Sequence, residues 1–351
     1  MWRQLIIPGI ILCLSSLSFL ILASIAPELL KTQLLHYLLA ILAFLITWRL
    51  GFEFWLRSSA ALYLGLIILL IITLFAGPTR GSARWISLGF INIQASQLAV
   101  PLVALTATKY LSFCKKVSWR QVANFLGILA APALLIFLQP DLGTTIIFLL
   151  SVGSALFFSP IDLKIIGILG LSALSLSLIA YLFLLQPYQR ARLTSFLAAG
   201  GGEVDYNARQ ALIAVGSGGI YGRGLGLGVQ SQLRFLPERQ TDFVFASLSE
   251  ETGFIGSFLV LLIYLILIFS LFSLSFTTPN QVSQLFIITI ITQLFLQIFI
   301  NIGMNIGLLP ITGITLPLIS YGGSSLISIS FMLGLIQSIP ITQKINYKVI
   351  K

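Results

Sequence analysis

An all-α protein that crosses a membrane many times is the fold this sequence predicts, and two observations carry the expectation. Of the 351 residues, 58% are hydrophobic and only 9% charged, with a mean hydropathy of +1.03, well beyond the composition of a water-soluble domain. The apolar residues also fall into runs near the ~20 residues that span a bilayer as a helix, whereas a β-barrel would show short alternating segments. The two cysteines, Cys13 and Cys114, offer neither a disulfide framework nor metal-ligand spacing. The single histidine, His36, sits at the edge of an apolar run. Histidine-based catalysis and His-rich metal sites therefore have no material to work with.

We read residues 1–351 as one integral membrane domain with about ten transmembrane helices. The expected spans are 5–25, 34–50, 57–76, 96–113, 121–138, 144–159, 164–186, 243–271, 284–306 and 317–338. The first resembles a signal peptide, but Pro27 directly after Ser24-Ile25-Ala26 argues for a retained helix. With the N-terminus inside, the inner segments carry Arg3, Arg49, Arg57, Lys115, Lys116, Arg120, Lys164, Lys344, Lys348 and Lys351. Short inner loops rich in Lys and Arg satisfy the positive-inside rule, so both termini are expected on the cytoplasmic side. The long connection between the seventh and eighth helices, residues 187–242, is then extracytoplasmic, and a loop of that length is usually functional.

A second set of cations falls on the outer side: Arg80, Arg84, Arg190, Arg192, Arg209, Arg223, Arg234 and Arg239. Each alone could face lipid headgroups or pair with Glu203, Asp205 or Glu238. As a set of arginines, suited to bidentate contact with phosphate oxygens, they point to an anionic ligand. The glycine-rich GSGGIYGRGLGLG (216–228) could be only a flexible link, and it lacks the spacing of a nucleotide fingerprint and follows no strand signal. Residues 307–325 carry two prolines, Pro310 and Pro317, among glycines, which membrane depth tolerates only where they pack on protein or line a cavity. Six ionisable residues fall within 234–251: Arg234, Glu238, Arg239, Asp242, Glu250 and Glu251. Such groups at a membrane are kept for a substrate path, a proton path or a pair.

GSARWISLG (81–89), QPDLGTT (139–145), ALIAVGSGGIYGRGLG (211–226), SQLRFLPERQTDFVFASLSEETGFIG (231–256) and NIGMNIGLLPITGITLPLISYGGSS (301–325) resemble the SEDS family of shape, elongation, division and sporulation proteins. Its members include RodA, FtsW and SpoVE, and SQLRFLPER and PITG are closer to RodA. The resemblance implies a peptidoglycan glycosyltransferase that polymerises lipid II at the outer membrane face, serving cell-wall elongation and shape, with a class B penicillin-binding protein as partner. It implies no nucleic acid. Three positions depart from the family pattern. Gln240 stands where a histidine usually precedes Thr-Asp. Gln94-Ala95-Ser96-Gln97 and Val100-Pro101 replace Gln-Pro-Ser-Glu and a following lysine, and GSARW has one arginine fewer than GARRW.

That chemistry needs a base for the acceptor hydroxyl and positive charge for the departing pyrophosphate, but no general acid, because pyrophosphate leaves as an anion. Asp242 is the candidate base. Read from the residues alone it is first a helix N-terminal acid, and the resemblance tips it to catalysis. Arg84, Arg190, Arg192, Arg209, Arg223, Arg234 and Arg239 are the candidate pyrophosphate contacts, and Glu238 in the same loop is the next carboxylate after Asp242. Trp85 is either a sugar-stacking group or a membrane-interface anchor. Gln210 and Ser324 either orient sugars or satisfy backbone, and Asp141 reads as a helix cap. No carboxylate cluster specifies a metal, although Mg²⁺ or Mn²⁺ could assist a pyrophosphate. Two other readings remain: a division-specific polymerase of the FtsW type, or a lipid II flippase or scaffold without catalysis. Carriers bury charges along their spans, and here the charges gather at the outer mouth.

Overall fold

The computed structural model describes residues 2–75, 84–87, 92–186, 189, 190, 192, 194 and 203–340. Arg80, residues 81–83, residues 195–202 and the tail with Lys344, Lys348 and Lys351 lie outside them. The chain runs α1 (Trp2–Ile25), α2 (Leu30–Leu50), α3 (Phe52–Arg57), α4 (Ser59–Phe75), a hairpin of β1 (Trp85–Ser87) and β2 (Asn92–Gln94), and α5 (Ala99–Ser112). It continues through α6 (Trp119–Leu138), α7 (Leu142–Phe157), α8 (Leu163–Ile179), α9 (Glu203–Ser217), α10 (Val229–Gln232), α11 (Val244–Thr277), α12 (Gln281–Asn305) and α13 (Gly323–Gln337). Each of the ten expected spans falls on one of α1, α2, α4–α8 and α11–α13. Six helices among the described residues are individually long and apolar enough to cross a membrane. The fold is a polytopic all-α membrane bundle.

Close approach in the bundle rests on small residues, as usual between helices in lipid. α13 lies along α2, where a Cβ on Gly323 would sit 2.6 Å from Cδ2 of His36. One on Gly334 would collide with the Thr47 hydroxyl and lie 2.6 Å from the Phe44 carbonyl oxygen. α12 is the most enclosed of the long helices, while α8 exposes nearly all of its apolar surface.

Two departures from the sequence expectation shape the working end. The last span starts six residues late, because residues 317–322 stay irregular ahead of Gly323. Backbone carbonyls without helical partners are costly in an apolar setting, and neighbouring side chains supply the donors. Tyr37 Oη donates to Leu318 O at 2.6 Å, Ser18 Oγ to Ile319 O at 2.6 Å, and Tyr264 Oη to Pro317 O.

The second departure is the long connection, which is no free link. It holds α9 and α10, and its glycine-rich part plugs a break in α11 at Gly253 (φ 68°, ψ −163°). The carbonyls freed by the break accept from Arg223 N (Glu250 O, 2.9 Å) and Gly224 N (Glu251 O, 3.0 Å). The freed amides of Phe254 and Ile255 donate to Gly219 O (2.9 Å) and Ile220 O (3.2 Å). Glycine is required at the seam: a Cβ on Gly253 would collide with the Gly222 amide and lie 2.6 Å from Ile220 O. The two acids beside the break clamp the same loop. Glu250 accepts from Gln230 N (2.8 Å), Ser231 N (3.0 Å) and Ser231 Oγ (2.7 Å), and Glu251 accepts from Ser24 Oγ and Gly226 N (3.1 Å).

Candidate active site

A cavity of about 730 Å³ opens where the hairpin, the 238–242 turn and the 310–325 segment meet the ends of α2, α7 and α12. Asp242 lies in its wall, at the end of a turn in which Thr241 N and Asp242 N both donate to Glu238 O (3.1 and 3.2 Å). Glu238 holds a left-handed backbone (φ 49°) to make that turn. The Asp242 carbonyl is gripped by two amides of α12, Asn301 Nδ2 at 3.0 Å and Asn305 Nδ2 at 3.1 Å. Asn305 Oδ1 accepts from Ala246 N at 3.1 Å, in the first turn of α11, so one side chain fixes both the aspartate and the helix that follows it. Ser320 Oγ holds the neighbouring Thr241 carbonyl at 2.6 Å. Gly313, whose left-handed backbone (φ +73°) favours glycine, borders the carboxylate on the cavity side, where a Cβ would stand 3.4 Å from Asp242 Oδ2.

The electrostatics suit a base. Burial pushes the Asp242 pKa from 3.8 up to about 6, helped by the Glu238 charge. The Thr241 hydroxyl and the Arg192 charge pull it back. Desolvation therefore outweighs the arginines, and the opposing cation is Arg192 rather than the sequence neighbours Arg234 and Arg239. A carboxylate with its pKa near 6 is ionised at neutral pH yet basic enough to take a proton.

The opposite wall is a polar lattice. Arg84 Nε donates to Gln139 O (2.8 Å), Arg84 Nη2 donates to Pro140 O, and Nη1 lies 3.8 Å from Asp141 Oδ1. Asp141 also caps α7 through Thr144 N (3.2 Å) and accepts from Gln94 Nε2 (2.9 Å). It is thus a helix cap and an arginine anchor at once. Ser324 Oγ accepts from Gln94 N and donates to Asn92 O, both at 2.9 Å, which ties the hairpin to α13. Of the two readings for Ser324, this geometry fits the backbone one. Trp85 lines the cavity as the first residue of β1, opposite Gln94.

The cavity thus gathers Asp242, Arg84, Trp85, Arg192, Glu238 and Ser324 from the expected set. The others do not line it. Arg239 is 9% exposed and turned away, with Nε and Nη2 on Ile25 O (3.1 and 2.8 Å), where it closes the end of α1. Arg190 Nη2 donates to Leu182 O (3.0 Å) and Arg223 Nε to Ser217 O (3.2 Å). Arg234 is exposed at a left-handed position (φ 59°), and Gln210 is half-buried on α9. A guanidinium near a helix end finds a carbonyl, and sequence does not say which. In the other direction, His36 lines the cavity beside Tyr321 (ring centroids 5.4 Å apart), although its apolar run had argued against a site role. Gln293 and Gln297 of α12 line it too. Their signal was present: Gln293, Gln297, Asn301 and Asn305 recur every fourth residue, on one face of an otherwise apolar helix.

The family model for cell cycle proteins of the FtsW/RodA/SpoVE type matches residues 1–345. The chain is 36% identical over 295 residues to the peptidoglycan glycosyltransferase MrdB of Escherichia coli K12, covering 82% of this chain and 79% of that one. It is 35% identical over 313 residues to a probable peptidoglycan glycosyltransferase FtsW of E. coli O6:H1, covering 86% and 74%. Among solved structures, a chain from a work on coordinated polymerisation and crosslinking by a peptidoglycan synthase complex superposes with a TM-score of 0.82 at 29% identity, covering 95% of this chain and 96% of that one. The rod shape determining protein RodA of Thermus thermophilus superposes with a TM-score of 0.70 at 26% identity, covering 95% and 94%. A family model that spans residues 1–345, relatives at 35–36% identity and superposition on RodA agree, and the chain belongs to the FtsW/RodA/SpoVE family of cell cycle proteins.

Proposed function

We propose that the chain, a glycosyltransferase of this family, polymerises lipid II into glycan strands at the outer face of the bacterial inner membrane, with both termini inside. Asp242 takes the proton of the acceptor hydroxyl as its oxygen attacks the anomeric carbon, and the undecaprenyl pyrophosphate departs with inversion. Arg84 and Arg192 are the cavity cations placed to meet that leaving group. Trp85 and Glu238 line the same space and contact the saccharide. The observation that carries the reading is Asp242 in the cavity wall with its pKa raised to about 6. Among the described residues no three His, Cys, Asp or Glu side chains group to hold a metal ion. A Mg²⁺ or Mn²⁺ that assists the reaction would accordingly be carried by the pyrophosphate.

The polymerase works with a class B penicillin-binding protein, a reading supported by its likeness to a chain of a peptidoglycan synthase complex. SQLRFLPER and PITG favour the elongation and cell-shape role over division. Purified protein with lipid II, read on a glycan-strand gel, tests the core of the proposal: strands form with the wild type and fail with Asp242→Asn. Lipid II moved across vesicles with no strands formed would instead establish the carrier reading.

A further inference from the structure

Below Asp242 the cavity has a floor that the reaction described above does not use. It is made by Ser96 and Gln97 ahead of α5, Val100 in α5, Ile147 in α7, and Gln293 and Gln297 in α12. None of these side chains carries a charge at any pH. With a rise of ~1.5 Å per residue, Gln297 lies about 12 Å and Gln293 about 18 Å along α12 from Asn305, which grips the Asp242 carbonyl. Both glutamines are nearly sealed from solvent, 2% and 4% exposed, and Ser96 is fully buried. Yet Oε1 of Gln293, Oε1 of Gln297 and Oγ of Ser96 have no hydrogen-bond partner among the described residues. Buried polar atoms are nearly always paired, and three orphans in the wall of one cavity call for a partner that the chain does not supply.

The chemistry narrows what that partner is. A floor without a cation does not favour phosphate, which is better met at the rim by Arg84 and Arg192. A floor without a titratable group does not relay protons. Carboxamides and a hydroxyl pair with uncharged N–H, O–H and C=O groups. Resting on the glycosyltransferase reading, we propose that this floor is a subsite for the uncharged face of the substrate, an acetamido sugar with its N–H, C=O and neighbouring hydroxyls.

Gln293→Met and Gln297→Met keep side-chain volume and remove the amide. Because the native oxygens are unpaired in the chain, a merely structural role predicts equal or higher thermal stability and unchanged ligand affinity. The experiment is direct binding of lipid II and of undecaprenyl pyrophosphate to the full-length protein in lipid nanodiscs, with apparent Tm recorded alongside. The subsite predicts that each variant loses about 3- to 10-fold in lipid II affinity, with undecaprenyl pyrophosphate binding unchanged. Ser96→Ala, which removes one hydroxyl and creates almost no void, should show a smaller loss of the same selectivity and serves if a methionine variant does not fold. Unchanged lipid II affinity with intact stability would overturn the proposal and leave the floor holding water alone. So would an equal loss for both ligands. A wild type that binds lipid II without polymerising it would overturn the polymerase reading while these affinities still decide the subsite.

Discussion

Replacing Asp242 by asparagine separates chemistry from architecture, because the two readings of this residue predict opposite changes in stability. The carboxyl's pKa in the fold is about 6 against an ordinary 3.8. At about 1.4 kcal/mol per pH unit, that gap is on the order of 3 kcal/mol of penalty on the ionised form. The half-buried setting and water in the cavity reduce it, and about 1–2 kcal/mol is a reasonable working figure. The sign follows from linkage: a raised acid pKa gives stability that is complete below 3.8 and lost as pH rises through about 6. Above that, the wild type carries the penalty and asparagine does not. Asp242→Asn should therefore match the wild type in apparent Tm near pH 4 and exceed it by a few degrees at pH 7, with the gap opening between about 4 and 6. The backbone grip by Asn301 and Asn305 is untouched, since it takes the carbonyl and not the carboxylate. Polymerisation should meanwhile fall by about 10²–10⁴-fold. The wild-type rate should rise tenfold per pH unit up to about 6 and then level off. Scanning fluorimetry across pH and the strand gel on the same preparation give both readouts. An asparagine variant that polymerises within tenfold of wild type, or that is less stable at pH 7, refutes the reasoning. Glu238→Gln is then the next substitution to examine.

Other outcomes follow from the same geometry. Gly253→Ala drives a methyl into the Gly222 amide and Ile220 carbonyl, so it should lower apparent Tm sharply and expose residues 216–228 to limited proteolysis. Asn305→Ala leaves Ala246 N without its acceptor and loses one of two grips on Asp242. We expect about 1–3 kcal/mol of destabilisation and a lower kcat with KM for lipid II little changed, measured by melting and by initial rates. A cysteine at the exposed Tyr221 should react with an impermeant thiol reagent in intact cells while Cys114 stays protected, and the reverse pattern would invert the topology.

The spans were legible because lipid imposes length and composition on every helix it surrounds. Each expected run landed on a helix, down to the short α7, since nothing but an apolar helix satisfies its own backbone there. Irregular structure obeys no such rule. Gly253 inside α11 reads in sequence as a tolerated glycine in a long apolar helix. Only the docking of Gly222 against it reveals why the helix breaks. The glycine-rich segment looked flexible because its partners, the carbonyls of Glu250 and Glu251, are ordinary helical groups until that break frees them. The position of Asp242 at a helix start was readable, but from the residues alone it spoke for a helix N-terminal acid, and the candidate role as base came from the family resemblance. The arginine set was not, because Arg239 and Arg190 are held by main-chain oxygens that carry no sequence signature.

The carboxylates of this chain also make the case for Asp242 by what the others are committed to. Ten acids occur in 351 residues. Glu250 is bound to Gln230 and Ser231 of α10, Glu251 is turned into the glycine-rich loop at Gly226, and Asp162 faces Lys116 at 3.2 Å, all away from the cavity. Among the described residues three acids line the cavity: Asp141, Glu238 and Asp242. Asp141 accepts from Thr144 and Gln94 and stands beside Arg84, so its carboxylate is already committed to a helix cap and an arginine. Glu238 is exposed and accepts from the Thr241 hydroxyl at 3.1 Å. Asp242 has its backbone clamped by α12, Gly313 beside its carboxylate on the cavity side, and a pKa lifted to about 6 by burial. A general base needs a fixed position, an unobstructed lone pair and a pKa near the working pH, and in this cavity those three conditions meet at one side chain.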